Sequence, residues 1–183
     1  TEEIMEELVE KAQKGDKKAF TQLIHTIRQD LYKIARCRLS CEDDIEDAVQ
    51  ETMISAFKNI KKLSKKESCK TWIIKILVNK CNQIYKKNKS RNISFEELKK
   101  EPDCSDSENY TELEKIDFYF ILNDLNYDER IAILLFYLED YSIKDIAKIL
   151  KSNENTIKTR LRRGKEKIKN KYIKGDDFYG YVR

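Results

Sequence analysis

Glycine and proline are nearly absent, with 4 and 1 among 183 residues. Tight β-hairpins depend on Asn-Gly, Gly or Pro at fixed turn positions, so this chain has little means of building a meander or sandwich. Long helices need neither residue, and an all-α fold is the expectation. There is one histidine, His25, and no glycine-rich phosphate loop, so no catalytic constellation is expected. No apolar run approaches the roughly 20 residues that a membrane-spanning helix needs. Thr1 to Glu10 is acidic, unlike a secretory signal, which points to the cytoplasm. The cysteines number five, an odd count, and read as free thiols. Cys37 and Cys41 stand four apart, a spacing zinc can use. Without further histidines or paired C-x-x-C motifs, neither a metal site nor a cofactor is expected.

Charge is plentiful but segregated. Hydrophobic residues make up 40% and charged residues 38%, enough for a core beneath a highly charged surface. The net charge of +4 conceals four blocks of alternating sign. Residues 1–60 carry net −4, 61–91 net +10, 92–143 net −10 and 144–174 net +9. Two basic blocks on either side of an acidic one suit two contacts with one polyanion.

Apolar periodicity places the helices. One runs from about Glu2 to Gln13 and stops near Gly15, a C-cap residue, with Asp16 placed to cap the next. Ala19, Phe20, Leu23, Ile24, Ile27, Leu31, Ile34 and Ala35 then recur at three- and four-residue steps, an amphipathic helix. A third spans about Glu42 to Ile60, with Ile45, Ala48, Val49, Thr52, Ala56, Phe57 and Ile60 inward. A lysine-rich turn, Lys61 to Lys66, leads to a fourth from about Ser68 to Lys87, with Trp72, Ile73, Ile76, Leu77 and Ile84 inward. Between Asn88 and Tyr110 the period vanishes into Ser, Asn, Asp, Glu and the single proline, Pro102, which reads as a linker. Helices resume at about Thr111 to Leu125 and Asp128 to Glu139, the latter with Ile131, Leu134, Leu135 and Leu138 inward. The expected organisation is two small helical domains, 1–90 and 112–174, joined by an acidic flexible linker, 91–111, and followed by a tail, 175–183.

The last basic block has the pattern of a helix-turn-helix. Ser142 is a favoured N-cap, and Ile143, Ile146, Ala147 and Leu150 share one face. Lys151-Ser152-Asn153 forms the turn, and Ile157, Leu161, Gly164 and Ile168 line the inner face of the next helix. Asn155, Thr156, Lys158, Thr159, Arg160, Arg162 and Arg163 are left to face duplex DNA. Arginine pairs both acceptors of guanine and asparagine pairs adenine, while the remaining cations hold phosphates.

Four segments in order resemble the extracytoplasmic-function group of the bacterial sigma-70 family. They are Gly15-Asp16-Lys17-Lys18-Ala19-Phe20, Glu46-Asp47-Ala48-Val49-Gln50-Glu51-Thr52, Thr71-Trp72-Ile73 and Asn155-Thr156-Ile157-Lys158-Thr159-Arg160-Leu161. The resemblance extends to about Tyr172. It implies an alternative sigma factor, without a catalytic site, that binds core RNA polymerase and directs promoter-specific initiation. Asp44, Asp47, Gln50 and Glu51 would dock on the coiled coil of the largest polymerase subunit. Lys70, Trp72, Lys75, Asn79, Lys86 and Lys87 would hold the opened minus-ten element, and the helix-turn-helix would read the minus-thirty-five element. The resemblance further implies a membrane-linked anti-sigma factor that clamps the two domains. It also implies that the linker threads the polymerase's RNA path, where residues 94–114, net −6, would mimic RNA.

Some positions depart from the family pattern. Asn126 follows Leu125 where a proline is usual, Gln83 replaces an acidic residue, and Gly164 replaces alanine. The tail, with Phe178, Tyr179 and Tyr181, has no counterpart. The alternative reading is a free-standing operator-binding regulator, which would dimerise on paired half-sites. It leaves the first basic block and the acidic linker without a purpose.

Overall fold

The computed structural model describes residues 2–90, 121–122 and 124–172. The linker, most of the helix expected over Thr111 to Leu125, and the tail lie outside the described residues. The chain divides into two compact units, Thr1–Lys100 and Glu101–Arg183. Their described residues are helices and turns, without strands.

The first unit holds α1 (Glu2–Gln13), α2 (Lys17–Arg36), α3 (Glu42–Asn59) and α4 (Cys69–Ser90). Gly15, at φ +99°, ends α1 in the left-handed conformation glycine tolerates best. Around it the Asp16 N–H reaches the Lys11 carbonyl and the Gly15 N–H the Ala12 carbonyl, the pair of bonds that closes a Schellman motif. The Asp16 carboxylate at once begins α2, accepting from the backbone N–H of Lys18 and Ala19. All eight apolar residues of the α2 stripe are buried. Withdrawing side chains such as Leu23, Ile27, Leu31 and Ile34 from water contributes about 1.5–3 kcal/mol each, before the entropy of ordering the chain. α3 and α4 pack on each other and both on α2, enclosing Ile45, Val49, Ile73 and Leu77.

Four residues expected inward in this unit are not buried. Phe57 is 45% exposed, with its ring edge-on to Phe20 at 5.0 Å, because it falls on the outer arc of α3 while Ala56 and Ile60 on either side of it are buried. On α4 the buried stripe is Cys69, Ile73, Ile74, Leu77, Val78 and Cys81, while Trp72, Ile76 and Ile84 are half-buried. The helix is apolar around much of its girth, and two packing partners rather than one select the inner arc. Burial pushes the thiols of Cys69 and Cys81 up to about 12, so both stay protonated and inert, whereas Cys41 is exposed.

The second unit contains α5 (Tyr127–Ile133), α6 (Ile143–Ile149) and α7 (Glu154–Tyr172). Asn126, in place of the family's proline, is the N-cap of α5, its side-chain oxygen accepting from the Glu129 N–H at 3.0 Å. The single helix expected over Asp128 to Glu139 is instead α5 followed by a π turn, Leu134–Leu138. There the Glu139 N–H reaches the Leu134 carbonyl, and Asp140 reverses the chain at φ +53°. Leu134 and Leu135 are buried as expected, while Leu138 is half-buried. Gly164 lies where α7 crosses α5. A Cβ there would stand 3.1 Å from Cγ1 of Ile133 and 3.5 Å from Cβ of Glu129, so close approach favours the smallest residue despite its helix propensity. Beside it Glu129, only 4% exposed, accepts from the Lys167 ammonium at 2.7 Å, which neutralises the one buried carboxylate among the described residues.

Candidate nucleic-acid interface

Three helix faces carry the candidate residues. On α4, at about 100° per residue, Trp72, Lys75, Asn79 and Lys86 form one outward stripe opposite Ile73, Leu77 and Cys81. Trp72, Lys75 and Asn79 are half-buried and Lys86 and Lys87 are exposed, so the stripe is partly covered at its start and open toward its end. Asn79 donates its side-chain N–H to the Lys75 carbonyl at 2.7 Å. Lys70 lies off the stripe, and its ammonium bonds Asp30 of α2 at 2.7 Å. It anchors the start of α4 and is not grouped with the other candidates.

The outer face of α3 presents Asp47 and Gln50, both exposed. Asp44 and Glu51 sit on its flank toward α4. Asp44 accepts from the Asn88 amide at 2.7 Å, and Glu51 meets the Lys80 ammonium at 2.8 Å. Ile54, 54% exposed, and Phe57 continue the face beyond Gln50. The sequence reading missed Ile54, although an isoleucine out of phase with the buried period marks such a position.

In the second unit Ser142 caps α6, accepting from the Asp145 N–H and donating its hydroxyl to the Asp145 carboxylate at 2.7 Å. That bond, with a second from Lys148, holds the Asp145 carboxyl below its ordinary range. α6 ends in another Schellman motif, with Lys151 at φ +51° and the Ser152 N–H on the Ala147 carbonyl. Asn153 caps α7, its side-chain oxygen accepting from the Thr156 N–H at 2.7 Å. The turn is therefore held by capping bonds at both ends.

Ile157, Leu161, Gly164 and Ile168 face inward on α7, as expected. Opposite them Asn155, Lys158 and Arg162 are exposed, with Arg163 beside them, and Thr156 and Thr159 are half-buried. The Thr159 hydroxyl donates to the Asn155 carbonyl, and Arg162 pairs with Glu166 on the same surface at 2.7 Å. Arg160 differs from the rest. Its guanidinium turns toward α5 and meets Asp128 at 3.1 Å, with 23% of its side chain exposed.

The comparisons give the family to which these elements belong. The chain matches the family model of Sigma-70 region 2 over residues 23–91 and that of Sigma-70, region 4 over residues 116–168. It is 33% identical over 182 residues to the ECF RNA polymerase sigma-E factor of Haemophilus influenzae, covering 90% of this chain and 93% of that protein. The chain is a sigma-70 family sigma factor of the ECF group. RNA polymerase sigma factor SigV of Bacillus subtilis is 29% identical to this sigma factor over 149 residues, covering 81% of this chain and 88% of the relative. Among solved structures, the sigma factor RpoE of Bartonella quintana, in complex with the anti-sigma factor NepR, superposes with a TM-score of 0.69 at 28% identity, covering 84% of this chain and 96% of that one. CnrH, in complex with the cytosolic domain of CnrY, has the same fold, with a TM-score of 0.67 at 22% identity over 91% and 96% of the two chains. Among the described residues no helix of this sigma factor is long and apolar enough to cross a membrane, and no group of three His, Cys, Asp or Glu is placed to hold a metal ion.

Proposed function

We propose that this sigma factor grips a promoter at two points while polymerase holds both of its domains. The observation that carries the reading is a basic, outward helix face in each compact unit: Trp72, Lys75, Asn79 and Lys86 on α4, and Asn155, Lys158, Arg162 and Arg163 on α7. The α4 face, with Lys87, takes the opened minus-ten strand. Cations track the backbone there, and the half-buried Trp72 leaves indole surface on which a base freed from the stack can lie. The α7 face enters the major groove of the minus-thirty-five duplex. Asp47 and Gln50, flanked by Asp44 and Glu51, dock on a basic surface of core RNA polymerase.

The domains are 1–90 and 112–174. The acidic stretch between them lies in the polymerase's RNA path until transcript displaces it. The factor works in the cytoplasm, where the polymerase is, and has no catalytic site of its own. An anti-sigma factor restrains it, a reading supported by the anti-sigma complex in which the Bartonella relative was solved.

The experiment is capture by purified bacterial core polymerase followed by run-off transcription. The expected result is stoichiometric binding and promoter-dependent transcripts. A protein that neither binds core nor starts transcripts is not acting as a sigma factor.

The Arg160–Asp128 pair modifies how the recognition helix is read. Arg160 acts as a strut that fixes the roll of α7 against α5, leaving base contacts to Asn155, Lys158, Arg162 and Arg163. A double-mutant cycle with Arg160→Ala and Asp128→Ala, read by thermal unfolding, should give a coupling of about 0.5–1 kcal/mol. Arg160→Ala should weaken binding to every duplex alike in a panel with each base pair substituted in turn. Relaxed preference at one base pair would return Arg160 to the base-reading set.

A further inference from the structure

The connector between α3 and α4 is held from outside itself. It comprises two single 3₁₀ turns, Ile60–Lys62 and Lys66–Ser68, separated by Leu63, Ser64 and Lys65. Such a segment has few internal bonds, and the end of a helix leaves carbonyls without partners. The Ile60 carbonyl accepts from the Leu63 N–H at 3.1 Å, and Gln13, in the last turn of α1, adds bonds from outside the segment. Its side-chain amide donates to the Ile60 carbonyl at 3.0 Å and to the Leu63 carbonyl at 2.7 Å, from about 50 residues away in sequence. One turn earlier on the same face, Glu10 accepts from the Lys66 ammonium at 2.9 Å. The Glu10 carboxyl, bonded also by Lys14, is held down at about 2, so this second anchor stays ionised at any physiological pH. The connector is thus fastened at each of its two turns. Lys61, Lys62 and Lys65 project from it exposed, directly ahead of α4.

Both anchor points are on α1, which presents no candidate DNA-binding residue. We propose that α1 is a brace: Gln13 and Glu10 are positioning residues that fix the connector backbone, and with it the angle at which the connector lysines and the α4 face meet the opened promoter strand. This rests on the reading that α4 holds that strand. A brace that acts only there affects strand opening. It leaves unchanged the docking of α3 on polymerase and the binding of the minus-thirty-five duplex by the other unit.

The test uses the full chain, assembled with core polymerase, on a promoter the wild-type holoenzyme transcribes. Opening is followed by 2-aminopurine fluorescence in the minus-ten element. Gln13→Glu keeps the shape of the side chain but turns both donors into a carboxylate facing two carbonyl oxygens. It should slow opening about tenfold, the loss expected from two hydrogen bonds. Affinity for core and for the minus-thirty-five duplex should stay within about twofold. Glu10→Lys alone and Lys66→Glu alone should also slow opening, and the two combined should recover it. That recovery decides the matter even if Gln13→Glu proves too unstable to assay.

Normal opening in Gln13→Glu, or no recovery in the reversed pair, overturns the brace and leaves the sigma reading intact. A parallel loss of core affinity also overturns it, by assigning α1 to polymerase docking. Failure of the wild type to bind core or start transcripts overturns the sigma reading, and the brace with it.

Discussion

Asp47→Arg should lower affinity for core polymerase about hundredfold while leaving the melting transition of the chain in place. Asp47 is exposed on the outer face of α3, and its neighbour Gln50 shares that exposure. An exposed substitution remote from packing costs within about 0.5 kcal/mol of stability. At an interface the same substitution sets one positive charge against others, where like-charge contact costs several kcal/mol, and about 2.8 kcal/mol is a hundredfold. Glu51 is the contrasting case. It is tied to Lys80, so Glu51→Arg should lower stability and polymerase affinity together. The measurement is surface-captured core polymerase titrated with each variant, paired with a thermal melt. If Asp47→Arg binds core as the wild type does, the docking face lies elsewhere on the first unit.

The contrast between Asp47 and Glu51 also marks where sequence reading stops. Local signals were legible. Gly15 and Asp16 announced a stop and a start, Ser142 announced a cap, and the α2 period named eight buried residues. Each depends on neighbours within four or five positions, which the chain itself displays. The order of acidic face, basic face and helix-turn-helix was legible for the same reason. What could not be read was pairing between elements. Lys70 and Arg160 look like free cations in sequence, and only the fold brings Asp30 and Asp128 to them. Trp72 was expected inward because α4 is apolar on several sides, and the choice among those sides belongs to α2 and α3. The π turn after α5 has no residue that marks it. In sequence Gly164 is only a departure from the family's alanine, and its benefit lies on Ile133, 31 positions away.

The free chain should bind promoter DNA weakly, and the holoenzyme should bind it about 10²–10⁴ times more tightly at the same salt. The α7 face offers Asn155, Lys158, Arg162 and Arg163 from one short helix-turn-helix, with Arg162 already shared with Glu166. A few cations neutralise few phosphates, and the affinity they supply falls steeply as salt rises. On the proposed reading the α4 face adds nothing on closed duplex, because its target is then an opened strand. Residues 91–120 lie between the two faces in sequence. On the same reading, docking of α3 on core would convert the second contact into an intramolecular one, with an effective concentration that depends on geometry. A further consequence separates this from a simple gain in charge. Inserting about five base pairs between the two promoter elements turns one face of the duplex by half a helical turn. That insertion should remove most of the holoenzyme's advantage and leave the weak binding of the free chain unchanged. A free chain that binds the intact promoter as tightly as the holoenzyme, and as a dimer on paired half-sites, would instead be a free-standing regulator.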